Sequence, residues 1–551
     1  MDTSNATNSI DDRPRLFAAL QHNPYIQAIV TVFVACLCTR ILSSQWFEAA
    51  KYSNRRGIEP PTLPYWIPGL KHAFSMGYDS KRFLAKCLNK FGDGTPFFVD
   101  AAGQRLLLIL DPEHIKGVLR SSKELDPNPF IHDKILSALM GSPQEAIDHY
   151  KSDGGNTDYI QTTHIRQHTT GSNLNALGKR LFDTLSRSVE QALLPQADSE
   201  WTEIPDLYAF FQHHVTLAIA ETLLGSAIVQ SYPEIISDLW THIEHTDQFF
   251  MGLPRFVIPK AYAARDRLLE NIRNWSKKVE SLRQQNALGT HWDAVAGSQL
   301  LQERETLYGE LPGHDVHGRA AQTLGLLYGG TSLTVPISFW YFFETARDRD
   351  LQHRVLDELK THAVPESSSY NLMKLAACPL LRSMHAETTR YYSSNLTIRE
   401  VIVPQYALGA KYVLGKGTTV FIPNKYAAQY TSAWAQVRPQ AITKPLDTFW
   451  PERYIVAEKG KPERFSDVGL AGNWTSFGGG EHKCPGRHFA RNIGIVTLAV
   501  LLGVFECEVL DLKGAHKTDP RLKEYAFGTM KPTGKVAARI CRRPNRNSIP
   551  K

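Results

Sequence analysis

The most constraining stretch of this chain is Ser476-Phe477-Gly478-Gly479-Gly480-Glu481-His482-Lys483-Cys484-Pro485-Gly486-Arg487-His488-Phe489-Ala490. One cysteine stands between a glycine-rich turn and the start of an apolar helix. A thiolate stays deprotonated where backbone N–H donors and positive partial charge surround it. A glycine-rich turn entering a helix N-terminus supplies both. Glycines carry no Cβ, so the backbone can lie close against a flat ligand. An ordinary turn ahead of a helix is the plainer reading of Cys-Pro-Gly, and residues upstream weigh against it.

Such a cysteine suits the axial ligand of a haem iron. Phe477-x-x-Gly480-x-x-x-Cys484-x-Gly486 resembles the haem-binding signature of the cytochromes P-450. Two partners strengthen the resemblance. Glu387-Thr388-Thr389-Arg390 lies in an expected helix, Leu380–Tyr391, with Glu and Arg on one face. Phe449-Trp450-Pro451-Glu452-Arg453-Tyr454 resembles the family's P-E-R-F segment. The resemblance runs from about Pro60 to Pro532. It implies a mainly α fold with small β-sheets, in one large catalytic unit. It also implies haem b held by Cys484, with Phe477, Gly480, His482 and Gly486 around it, and a buried structural triad of Glu387, Arg390 and Arg453. The family often carries W-x-x-x-R on a helix beside the haem, and no Trp here has Arg at that spacing. His482, where the family usually has Arg, is then the candidate donor to a haem propionate.

Ala320–Arg347 reads as one long apolar helix that the resemblance places over the haem. Gly329 and Gly330 each cost a helix about 1 kcal/mol, which fits a need for room beside the ligand; helix packing is the plainer reading. Many relatives follow two small residues with an acid and a Thr that relay protons to dioxygen. Here Ser332 and Leu333 take those places, Thr334 follows one residue later, and no carboxylate stands nearby. Thr331, Ser332 and Thr334 are the candidate proton-relay groups. Pro336, with Phe339-Trp340 after it, resembles the branch of sterol 7α-hydroxylases and prostacyclin synthase.

That branch leaves two mechanisms open. A monooxygenase would take NADPH electrons through NADPH-cytochrome P-450 reductase and hydroxylate or epoxidise an apolar substrate. An isomerase or dehydratase would use a peroxide substrate and need no reductase. A non-enzymatic haem sensor is a third class, which the membrane segment and substrate-facing stretches disfavour. From resemblance alone, Tyr328, Leu333, Ser394, Leu396, Phe527 and Thr529 are candidate contacts to a lipophilic small molecule, a terpenoid, steroid or polyketide secondary metabolite.

Composition bounds the rest. With 551 residues, 62 Lys+Arg and 55 Asp+Glu, the net charge is +7, spread along the chain. No basic block with interleaved aromatics argues for nucleic acid. Seven cysteines, odd in number and without metal-site spacing, give no disulfide framework. Residues 1–24 form a polar tail with a sequon, Asn5-Ala6-Thr7. Residues 25–43 read as a membrane-anchor helix, with a cleaved signal peptide as the rival. Against the rival, no compact basic region precedes the segment and no small-residue cleavage site follows. Lys51, Arg55 and Arg56 would keep the following side cytosolic. A proline-rich hinge spans 44–69 and the catalytic domain 70–551. The expected location is the endoplasmic reticulum membrane, single-pass.

Overall fold

The computed structural model describes residues 24–101, 103–193, 200–289, 291–365, 369–429, 431–512 and 528–543. The polar tail with its sequon and the candidate contact Phe527 lie outside them, apart from Pro24.

Helices dominate, with the sheets small and peripheral. The core is built where apolar helices cross. Leu207–Leu224 is apolar around its circumference and packs against Gly171–Leu193 and Thr334–Ala346. A helix without a polar face must be buried on all sides. Phe339, Trp340, Phe342 and Phe343 are fully buried in Thr334–Ala346. Phe211 meets Phe339 edge-on at 5.6 Å between ring centroids. The helix after the cysteine, Arg487–Leu498, continues through wider turns to Val504 and packs on the same Thr334–Ala346 helix. Close approach there depends on Gly494, whose added Cβ would lie 3.1 Å from the Tyr341 ring.

The largest sheet has five strands, ordered Phe97–Ala101, Gln104–Leu108, Thr419–Pro423, Leu396–Val401, Leu125–Asp126. The first two form a hairpin, in register Phe97↔Leu108. Gln104–Leu108 pairs parallel to Thr419–Pro423, and the other pairs are antiparallel. Asp111 caps the next helix as its sequence position suggests, accepting from Glu113 N–H at 3.1 Å and His114 N–H at 3.0 Å.

The apolar N-terminal helix runs Pro24–Tyr52, past the expected end at 43. Its mean hydropathy is 1.9 over an 18-residue window that is only 6% buried. Its C-terminal half is latched to the body. Phe47 is buried against Phe91 at 5.4 Å between centroids. Arg40 Nη1 donates to the Pro64 carbonyl, and Tyr65 N–H donates to Ser43 Oγ at 3.1 Å. The proline-rich segment is pinned as well. Phe98 N–H donates to Pro61 O at 2.8 Å and Leu63 N–H to Phe98 O at 2.9 Å. Prolines stiffen this stretch, and the sheet edge holds it.

The expected single helix over 320–347 is two. Val316–Thr331 ends, Ser332 and Leu333 form a break, and Thr334–Ala346 restarts. The cause is Pro336, which lacks the N–H that the Ser332 carbonyl needs and whose ring crowds that carbonyl.

Candidate active site

The Cys484 turn is dictated by what its backbone touches. Gly480 has φ +64°, and a Cβ there would sit 1.9 Å from the Leu119 carbonyl oxygen. Only glycine takes that conformation and that contact without strain. Cys484 N–H donates to Phe477 O at 2.9 Å, closing the loop. Arg487 Nη1 donates to Cys484 O at 3.0 Å, and the Thr169 hydroxyl donates to Pro485 O at 3.1 Å. Phe477 lies parallel to the buried His385 ring, 6.1 Å between centroids. The Gly486 and Arg487 N–H groups point at the sulfur. Burial pushes the Cys484 thiol up, while those two N–H groups and the Arg487 charge pull it down.

Beneath this loop the triad is assembled and wholly buried. Glu387 receives Arg390 through two hydrogen bonds, 2.7 and 2.8 Å, and Arg453 Nε at 2.9 Å. The remaining guanidinium protons go to carbonyls. Arg390 reaches Leu446 O at 2.7 Å; Arg453 reaches Lys444, Pro445 and Thr448 O at 2.8 to 3.0 Å. Trp450 N–H adds a further donor to Glu387 at 2.9 Å.

His482 sits in a tight turn, Gly480–His482. Burial first, then the charge of Arg399, hold its imidazole below the usual value. Arg399 is the residue that sequence reasoning missed. It lies on strand Leu396–Val401, 4% exposed. Its Nη1 donates to Ile398 O at 2.8 Å, while Nη2 is buried with no partner. Burial pushes its guanidinium down to about 10. Buried charges without partners are costly, so this donor calls for an anion. The signal was present in the strand's alternation, which turns Thr397, Arg399 and Val401 inward.

A haem suits these groups. The sulfur faces two N–H donors, a Cβ on Gly486 would meet nothing within 4 Å, and the unmet Arg399 donor, with His482 beside it, suits a propionate. Cys484, Phe477, Gly480 and Gly486 form one loop around this position.

The broken helix sorts its candidate residues onto two faces. Thr331 is fully buried and its hydroxyl donates to Leu327 O at 2.7 Å. Thr334 is 9% exposed and donates to Gly330 O. Gly329, Ser332 and Leu333 are on the open face: a Cβ on Gly329 would touch nothing, and Leu333 is 37% exposed. Gly330 instead packs on Ile219, 3.6 Å from an added Cβ. The Tyr328 hydroxyl lies 2.7 Å from Thr246 Oγ1 and shares in bonding with the Ser332 side chain.

The other substrate candidates split. Ser393–Ser394 pairs with Gly528–Thr529, so Ser394 and Thr529 come together in one short ladder. Thr529 Oγ1 is buried without a partner. Leu396 instead packs with the cluster of Leu88, Leu108 and Phe421 beneath the large sheet.

Comparison with known proteins agrees with this geometry. The Cytochrome P450 family model matches residues 60–538. The chain is 27% identical over 529 residues to "Cytochrome P450 monooxygenase fsoE" of Humicola fuscoatra, covering 91% of each. It is 28% identical over 547 residues to "Cytochrome P450 monooxygenase efuG" of Hormonema carpetanum, covering 93% of this chain and 96% of that one. It is also 26% identical over 474 residues to "Cytochrome P450 7B1" of Mus musculus, covering 84% and 87%. With the cysteine loop and the buried triad in place, the chain belongs to the cytochrome P450 family, the haem-thiolate oxidoreductases that incorporate oxygen from dioxygen into their substrates.

Proposed function

We propose that this chain is a monooxygenase that hydroxylates or epoxidises a lipophilic small molecule, with electrons from NADPH delivered by cytochrome P450 reductase. The observation that carries this reading is the Cys484 sulfur, set among the Gly486 and Arg487 N–H groups on a helix packed against the broken, open-faced one. Bound there, haem supplies the iron at which dioxygen is activated. The residues around it do the rest. Cys484 gives up its proton on ligation, and the two N–H groups meet the resulting charge. Arg399 and His482 orient the cofactor through its carboxylates. Ser332 is the hydroxyl on the open face and the group best placed to pass a proton. Thr331 and Thr334 send their hydroxyl protons to helix carbonyls and steady the break.

Leu333 lies on the open side and favours an apolar guest; a terpenoid, steroid or polyketide fits this chemistry. Residues 25–43 of the Pro24–Tyr52 helix would sit in the endoplasmic reticulum bilayer, with the polar tail on the far side and the catalytic unit, residues 70–551, in the cytosol. About 20 apolar residues span a bilayer, and Lys51, Arg55 and Arg56 favour this orientation. Residues 44–69 then act as a stiff connector.

The peroxide-isomerase reading draws on one observation. Two of the three candidate relay hydroxyls are committed to backbone carbonyls, and the break contains no carboxylate. The test is reduction of the full-length protein in membranes by reductase and NADPH under carbon monoxide. Rapid growth of the red-shifted Soret band of a thiolate-ligated ferrous–CO complex supports the monooxygenase. A band that needs dithionite, even with candidate apolar substrates present, favours the isomerase.

A further inference from the structure

A second cluster of ligand atoms lies away from the open face of the broken helix. Helix Asn156–His168 carries His164 and His168 one turn apart, and Glu303 reaches them from helix Gln299–Gly309. Glu303 Oε2 is 3.1 Å from His168 Nε2 and 3.7 Å from His164 Nε2. One donor atom from each of the three residues lies within 4.8 Å of the others. Donors bound tetrahedrally to one zinc at about 2.0–2.1 Å are about 3.3–3.4 Å apart. The two gaps to Glu303 bracket that spacing, and the gap between the histidines lies within 4.8 Å.

The surroundings prepare these atoms as ligands. His168 Nδ1 is 3.1 Å from the His164 carbonyl. That bond takes the Nδ1 proton and turns Nε2 toward a carboxylate oxygen, where it meets either a proton or a metal. A divalent ion would take the place of the proton that otherwise joins these two atoms, 3.1 Å apart. Both ring nitrogens of His164 are buried without partners. Gln299 Nε2 donates to the other Glu303 oxygen at 2.7 Å and orients the carboxylate. Arg304 opposes a cation here, and the Glu303 charge offsets it. His291 lines the cleft beside His168.

We propose that His164, His168 and Glu303 form a binding site for a zinc-like divalent ion, with a fourth position open to water. The ion would clamp the two helices together. The clamp would also adjoin the Cys484 loop, because the hydroxyl of Thr169, next to His168, lies between the Ile165 carbonyl at 2.8 Å and the Pro485 carbonyl at 3.1 Å.

The test uses full-length, haem-loaded protein equilibrated by dialysis against buffered zinc. Metal and haem are counted, and zinc K-edge absorption reads the ligands. The expected result is one zinc per haem beyond the level bound by a His164→Gln/His168→Gln variant, with imidazole nitrogen at about 2.0–2.1 Å. Glu303→Ala should weaken binding about tenfold or more, in the range seen when zinc-site partners are removed. Glu303 is 48% exposed, so this variant leaves the core alone. A thiolate ferrous–CO band in each variant verifies its fold. Equal zinc uptake by the wild type and the double-histidine variant, or unchanged affinity in Glu303→Ala, overturns the proposal. Should the double variant lose its haem band, Glu303→Ala and the wild-type absorption edge decide the matter by the same criteria.

Discussion

The Cys484 loop and the triad are tied down by specific partners: two N–H groups for the sulfur, a closed Phe477 loop, and guanidiniums saturated by a carboxylate and a ring of carbonyls. Around Ser332, the backbone is interrupted, one glycine faces empty space and a leucine is left open. The first region is over-determined, so its geometry tolerates no change of ligand. The second is under-packed by design of its sequence, since Pro336 breaks the helix and Gly329 removes a side chain. A site that must hold one metal in one way and admit a variable guest needs this division. Rigidity sits where the electronic demand is, and slack where the shape demand is.

Five experiments can break that contrast, in descending order of effect. Cys484→Ala should abolish the thiolate ferrous–CO band altogether; a surviving band would remove Cys484 from the site. In the wild type the same band should be lost on the acid side of a pH titration. Burial raises the thiol, so falling pH returns the proton, whereas rising pH leaves the ligating thiolate intact. Next, Glu387→Gln strips the one carboxylate from two buried arginines and should cost about 3–5 kcal/mol, read as a lower denaturation midpoint and reduced haem content. An unchanged midpoint would mean that the saturation by carbonyls alone carries the triad.

A pair of glycine variants sharpens the contrast directly. Gly480→Ala should lose about 1–3 kcal/mol from its backbone conformation alone, before the clash with the Leu119 carbonyl is added. Gly329→Ala should instead gain about 1 kcal/mol of helix stability while altering which guests bind, measured by the spin-state shift of the Soret band. Equal losses for both would show the open face to be packed. Smallest is the relay pair. Ser332→Ala should lower product formed per NADPH by about tenfold, below the usual range for a lost proton donor because water can substitute. Thr334→Ala, whose hydroxyl is engaged with Gly330, should change it less. The reverse order would return the relay to Thr334.

The over-determined region was legible in the sequence, and for the same reason. Gly480, Cys484 and Glu387 each have one permissible residue at one permissible offset, so local spacing encodes the three-dimensional contact. Arg399 escaped because nothing about an isolated arginine in L-T-I-R-E-V declares that its second nitrogen will find no partner. That depends on the face of the sheet on which Arg399 stands, where it lies 4% exposed near His482. The faces of the broken helix were also illegible. Counting residues from the two glycines ranks Ser332 and Thr334 together as relay candidates, but the break and the packing against Leu207–Leu224 decide that one is open and the other sealed.

The latch on the N-terminal helix has a mechanical meaning. Arg40, Ser43 and Phe47 fasten the helix to the Pro61–Tyr65 segment and the large sheet, so helix and body turn together. A span shorter or longer than the bilayer core adjusts by tilting. In a swivel-jointed enzyme that tilt would dissipate in the linker. On the membrane reading proposed above, it would be transmitted, like the angle of a keel, to the whole catalytic unit, so membrane thickness would set the pitch at which that unit meets the bilayer.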